Sequence, residues 1–185
     1  VSPKPSTGGT SVHRDTRIDA LWRVIFAIGY RLMPVWWFVR RPSVEGAYVI
    51  VRRPRADGRW DVLLIRNSYK PGYSPPCGGL VRGEIPVEAA LRELHEEVGL
   101  SLDPARLRPA GVVALELAHR HDRAHFFDVV LARDARPELR VDHREVVWAE
   151  FVSDEELPGL RLAPHFRVWL EQHAPWRDVT SKCSA

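Results

Sequence analysis

Residues 78–100, GGLVRGEIPVEAALRELHEEVGL, organise this 185-residue chain. A glycine-rich turn at Gly78 and Gly79 runs into a short helix dense in carboxylates. With Leu91 at zero on a helical wheel, Val87, Leu94 and Val98 fall within about 60° of it and form one apolar stripe. Glu93, Glu96 and Glu97 project from the other side, spread over roughly 100°. Like charges at i, i+3 and i+4 repel, and a helix that needed only solubility would intersperse lysines. Concentrated carboxylates suit a hard cation, Mg²⁺ or Mn²⁺. The glycines upstream let backbone groups approach that cation and a phosphate. In isolation, an E-x-x-E-E run reads as a solvated face, so its surroundings decide.

The length suits one domain with a sizeable core. Composition is globular, 45% apolar and 28% charged, with a net charge of +3. That charge is uneven. Residues 1–60 carry 11 Lys and Arg against 4 Asp and Glu, while residues 61–185 carry 16 against 20. The basic third could meet an acidic partner, although arginines solvating a helix and a loop explain it as well. No stable nucleic-acid partner is expected. Cys77 and Cys183 are the only cysteines, and the second lies in a polar tail. A disulfide framework is therefore implausible, and a reducing, cytoplasmic compartment fits.

The opening residues, VSPKPSTGGTSVHRDTR, have no apolar segment of the secretory kind and are expected to be disordered. Ile18 to Val39 approaches membrane-spanning length, but Asp19, Arg23, Arg31 and Pro34 interrupt it. Leu21, Trp22, Ile25, Phe26, Gly29, Leu32 and Met33 recur at helical spacing, which predicts an amphipathic helix broken at Pro34. Packing on the domain or on a second copy of the chain explains its tryptophans. Shallow membrane attachment through Trp36, Trp37, Arg40 and Arg41 is the alternative.

From Glu45 the pattern turns to strands. GAYVIVRR and WDVLLIRN, joined at Ala56-Asp57-Gly58, read as a hairpin. The continuous run Val62 to Ile65 predicts a strand covered on both faces. A Pro/Gly loop, SYKPGYSPPC, delivers the chain to the glycine turn. Further strands are expected at 111–117, 126–133 and 145–152, with HRHDRAH connecting the first two. Ser153 to Leu157 opens a short helix, and 164–173 is a last helix with proline at its start. The sum is a mixed sheet between helical layers. The expected organisation is a tail (1–16), a helix and linker (17–42), one domain (43–175) and a second tail (176–185).

The stretch resembles the signature of the Nudix hydrolase superfamily. From Gly78, five residues lead to Glu84, and seven more lead to Arg92-Glu93-Leu94. His95, Glu96-Glu97, Val98 and Gly99-Leu100 follow, so every fixed position matches over 23 residues. The resemblance covers roughly 45–173 and implies an α/β/α sandwich with a mixed β-sheet. The N-terminal helix lies outside it. The activity implied is Mg²⁺- or Mn²⁺-dependent hydrolysis of the pyrophosphate linkage in a nucleoside diphosphate joined to another group. By that resemblance Glu93, Glu96 and Glu97 ligate the metal, assisted by a backbone carbonyl at Gly78 or Gly79, and Arg92 holds the carboxylates. Glu84 supports the loop or reaches a metal through water. The general base is either Glu93 or a later carboxylate, Glu145 with Glu150 behind it. Gly78, Gly79, Glu84, Arg66, Tyr73 and His125 are candidates for phosphate or substrate contact.

Bland readings stand beside these. Glu145 fits an exposed strand residue equally well. Tyr69 and Tyr73 can pack their loop rather than stack on a base. His119, His121 and His125 could suggest zinc, but no cysteine is near and the carboxylates already account for a metal. Two positions depart from the family pattern. Cys77 stands where proline is usual, and Ile85 where a Ser or Thr cap is usual, a loss worth about 1 kcal/mol unless Glu88 or the packing of Ile85 compensates. The additional marks of subfamilies for coenzyme A, dinucleoside polyphosphates and ADP-ribose are not apparent. A nucleoside triphosphate or a nucleotide-sugar-like diphosphate remains. The alternative from another class is a catalytically idle module that binds a nucleotide or a membrane as a regulator; the intact carboxylate set argues against it.

Overall fold

The run Val62–Ile65 needs cover on both sides, and the computed structural model shows two apolar layers supplying it. The structure describes residues 17–40, 43–117 and 120–173. In chain order these form α1 (Arg17–Arg40), β1 (Ser43–Pro54), β2 (Trp60–Asn67), β3 (Cys77–Gly79), α2 (Pro86–Val98), β4 (Arg108–Leu117), β5 (Arg120–Val130), β6 (Val146–Ser153) and α3 (Pro164–Gln172). The sheet runs β4-β5-β1-β2-β6, with β3 added to β1. The β1–β5 pair is parallel and the other pairs are antiparallel, so the sheet is mixed.

Alternation sorts the side chains into two cores. On one face, Ala89, Ala90, Leu94 and Val98 of α2 pack on Val49, Val51, Leu63, Ile65 and Val129. On the other, Phe166 and Trp169 of α3 pack on Ile50, Val62, Leu64, Val113 and Phe126. Helices on both faces give the α/β/α sandwich. The hairpin turn needs Gly58 at φ +80, and Arg52 bridges β1 to β5 through a bidentate pair with Asp128 at 2.5–2.6 Å.

Helix α2 begins at Pro86 without a side-chain cap from Ile85. Glu88 compensates, because its carboxylate accepts the Ile85 N–H at 3.1 Å. Ile85 itself is 55% exposed, so its packing contributes little. Gly99, at φ 74, ends the helix and donates to the His95 carbonyl at 2.9 Å.

Four expectations need correction. Helix α1 continues through Pro34 to Arg40. A proline removes one N–H and bends a helix, and it need not end it when the turns on both sides are helical. HRHDRAH is mostly strand: β5 starts at Arg120, pairing with Leu117 of β4 and, from His121, with β1. Polar residues there satisfy a ladder at the rim of the sheet, where side-chain polarity does not forbid pairing. The Gly78–Gly79 segment, read as a turn, is strand β3, opposite Ala47 and Gly46 of β1. The short helix expected to open at Ser153–Leu157 is a turn followed by a single 3₁₀ turn at Leu157–Gly159. Residues 1–16 and 174–185, Arg41, and His119 lie outside the described residues, as do the side chains of Trp36, Trp37 and Arg40.

Leu94→Ala should cost about 2–5 kcal/mol in urea denaturation, because the α2 stripe is enclosed by the sheet. Ile85→Ala should change stability by no more than about 0.5 kcal/mol. Equal effects at the two positions would contradict this packing.

Candidate active site

Strand β3 fixes the site because it lies against the second half of α2, at Glu93 and Glu97. A Cβ on Gly78 would stand 2.0 Å from the Glu93 carboxyl group. Only glycine lets that carboxylate rest against the strand backbone. One helical turn later, Glu97 points the same way. It is 6% exposed, and its Oε2 accepts the Cys77 N–H at 2.7 Å. Two acidic side chains of one helix thus converge on a three-residue strand.

Arg92 ties the surrounding loop to this pair. Its Nε and Nη2 donate to the two Glu84 oxygens at 2.8 and 2.9 Å. Nη2 also donates to the Gly79 carbonyl at 2.9 Å, and Nη1 reaches Glu93 at 2.5 Å and Glu96 at 3.2 Å. Glu84 in turn accepts the Val81 N–H at 2.9 Å, which closes the loop between β3 and α2. The Arg92 hydrogen bonds, with the Val81 amide, hold the Glu84 carboxyl down to about 2.

A further carboxylate comes from the segment before β6. Asp142 accepts the N–H groups of Arg144, Glu145 and Val146 at 3.1–3.2 Å, with His143 at φ 58. This local cap presents Glu145 to Tyr69, whose hydroxyl donates to Glu145 Oε1. Burial, then the hydrogen bond to Glu145, pushes the Tyr69 phenol up, so it stays a donor. Lys70 lies over the Tyr69 ring at 5.1 Å.

Burial raises Glu93, with Glu96 and Glu145 adding repulsion that Arg92 partly offsets. Burial also raises Glu97 well above the ordinary carboxylate range. There the Cys77 amide and Lys70 oppose the shift, and Glu93 and Glu145 reinforce it. The Cys77 thiol is pushed up to about 12 by burial, then by the Glu97 charge, which favours its neutral form. Glu93 therefore feels the charges of Glu96 and Glu145, and Glu97 those of Glu93 and Glu145. Oxygen donors repelling across a small space fit a hard divalent cation. Among the described residues no group of three or more acidic, His or Cys side chains is placed to hold an ion; Arg92 bridges Glu93 and Glu96. Glu96, whose side chain is 57% exposed, is the one with freedom to turn inward.

The remaining candidates lie elsewhere. Arg66 is an exposed residue of β2 opposite Trp148. Tyr73 packs edge-on against Trp148 at 5.1 Å, in the core on the α3 side. His125 sits on β5, with Nε2 3.2 Å from Glu45 Oε2, and Glu150 pairs opposite Leu64. Among the described residues no hydrogen bond or ion pair joins these four to Glu93, Glu96, Glu97 or Glu145. Sequence reasoning did not assign Asp142 or Lys70. For Asp142 the signal was present, as an Asp followed by three residues whose amides it can cap.

The NUDIX domain family model matches residues 42–173 of this chain. The chain is 32% identical over 124 residues to "Putative 8-oxo-dGTP diphosphatase 3" of Mycobacterium tuberculosis; that alignment covers 65% of this chain and 57% of the relative's length. Among solved structures, a MutT NUDIX hydrolase from Burkholderia pseudomallei superposes with a TM-score of 0.57 at 28% identity, covering 71% of this chain and 97% of that one. A C. elegans Ap4A hydrolase superposes with a TM-score of 0.59 at 20% identity, covering 72% and 96%, a likeness of fold.

Gly78→Ala should leave the melting temperature almost unchanged, since the flexible end of Glu93 can move aside, yet lower turnover by about 10²-fold through that displacement. Full activity with alanine at 78 would refute the close approach. The pH response gives a second check. Raised folded-state values for Glu93 and Glu97 mean that the stability they permit is greatest below about pH 4 and is lost as pH climbs through the shifted range. Without added metal, melting temperature should fall across that interval more in the wild type than in Glu97→Gln. Parallel curves would contradict the burial assigned to Glu97.

Proposed function

The chain belongs to the NUDIX family, and on that footing we propose that it hydrolyses the diphosphate bridge of a small nucleotide with a bound Mg²⁺ or Mn²⁺. The convergence of Glu93 and Glu97 on strand β3, under the Arg92 clamp, supports this reading most strongly. Glu93, Glu96 and Glu97, with a backbone carbonyl of Gly78 or Gly79, would hold the ion. When bound, it would neutralise phosphate charge and acidify water.

The side chains of this chain supply positioning and proton transfer. Arg92 and Glu84 keep the loop after β3 closed, so the Gly79 carbonyl and Glu93 hold their places. Glu145 is proposed as the base. Tyr69 fixes it through Oε1, and its other oxygen, Oε2, accepts the proton of an attacking water. The water oxygen bonds to phosphorus as the bridging P–O bond breaks, and the departing phosphate takes the electron pair. Lys70, near Glu97 and Tyr69, places positive charge where an anionic substrate would enter.

The substrate proposed is a nucleoside triphosphate, including oxidised forms such as the one in the name of the mycobacterial relative, ahead of a nucleotide-sugar-like diphosphate. We place the reaction in the cytoplasm, where a free Cys77 thiol stays reduced. A panel of oxidised and normal nucleoside triphosphates and nucleotide sugars, assayed for phosphate or pyrophosphate release with and without Mg²⁺, tests the proposal. Release should require the ion, and Glu97→Gln should lower turnover by roughly 10³-fold while the far-UV spectrum is unchanged. Nucleotide binding without release across the whole panel would instead support the idle module.

A further inference from the structure

Helix α1 is inverted relative to an ordinary surface helix. Two of its polar residues face the domain, while Arg31 is exposed at the edge of the outer side: Asp19, 2% exposed, accepts from Arg144 Nε at 2.9 Å, and Arg23 Nη1 donates to the His143 carbonyl at 3.0 Å. Phe26 stacks on Tyr69 at 5.7 Å. These three lie within about 60° of one another on the wheel. On the opposite side, Ile18, Leu21, Val24, Ile25 and Ile28 make a stripe about 120° wide. All five are 47–62% exposed. Thus the face that should meet water is aliphatic, and the sheet domain does not cover it.

Charge selects the occupant. Within α1 four Arg stand against one Asp. The one acid within α1, Asp19, is already engaged by Arg144. A second copy would bring the same positive excess against it, whereas an anionic lipid surface brings the complement. No helix among the described residues is long and apolar enough to cross a membrane, so the helix would lie in the interface plane.

We propose that α1 docks this protein on an anionic bilayer surface through Ile18, Leu21, Val24, Ile25 and Ile28. The inward contacts of the helix reach the segment that carries Glu145, so docking would tether the domain through the opposite side of the helix from the lipid.

Co-sedimentation of the full chain with vesicles of phosphatidylcholine alone, and of phosphatidylcholine with phosphatidylglycerol, tests this. The protein should pellet with the phosphatidylglycerol vesicles, release in high salt, and bind neutral vesicles far less. Leu21→Glu/Ile25→Glu should weaken binding by roughly tenfold or more, with an unchanged near-UV spectrum and nucleotide hydrolysis intact without vesicles. If that pair perturbs the fold, Ile18→Glu/Ile28→Glu on the same stripe replaces it. Absence of pelleting, equal binding to neutral vesicles, or binding indifferent to the substitutions would overturn the proposal. A dimer in light scattering that the same substitutions convert to monomer, without lipid binding, would give the stripe to a second copy instead.

Discussion

Mutual repulsion among carboxylates is the constraint that the rest of the structure serves. Glu93, Glu96, Glu97 and Glu145 would spread apart on a flexible chain, and burial makes the charge on Glu93 and Glu97 costlier still. Three features oppose the spreading. The apolar stripe of α2, locked into the sheet by Leu94 and Val98, fixes the helix. The Cys77 amide takes one carboxylate oxygen. Arg92 spans Glu84, Glu93, Glu96 and the Gly79 carbonyl. A charge cluster kept under tension in this way is poised for a cation, whereas a relaxed cluster would gain less from one.

Much of this was legible in the sequence, for physical reasons. The α2 stripe repeats at helical period, and the E-x-x-E-E spacing follows from the same helix. The run Val62–Ile65 announced two apolar neighbours because each alternate side chain enters a different core. Harder to read were contacts between segments remote in the chain. Nothing local says that β1 and β5 run parallel, or that HRHDRAH is a strand, since its polar residues satisfy a ladder and not a core. The Tyr69–Glu145 hydrogen bond joins residues with no shared periodicity. Pro34 misled because a proline signals a bend as readily as an end.

The N-terminal helix was legible as a helix but not in its orientation. A sequence shows that Asp19 and Arg23 share a side. It does not show that this side would face the protein, because a buried acid is expected only where a partner such as Arg144 awaits it. With Phe26 stacked on Tyr69, the helix joins one network with the Glu145 segment. Displacement of α1 would therefore be felt at Tyr69 before it was felt in either core.

Strand β1 pairs along one edge first with β3 and then with β2, while its other edge carries β5. In the order of folding, this divides the site into early and late parts. The Arg92–Glu84 clamp joins residues of adjacent sequence and can close as α2 forms. The berth of β3 on β1 spans little more than thirty residues, Gly46 to Gly79. Glu145, by contrast, arrives only with the segment leading into β6, which pairs with β2 from the far end of the chain. Loop-closure entropy makes such distant pairing slow relative to local contacts. A half-folded chain would thus carry Glu93, Glu96 and Glu97 before it carried the residue proposed to move the proton.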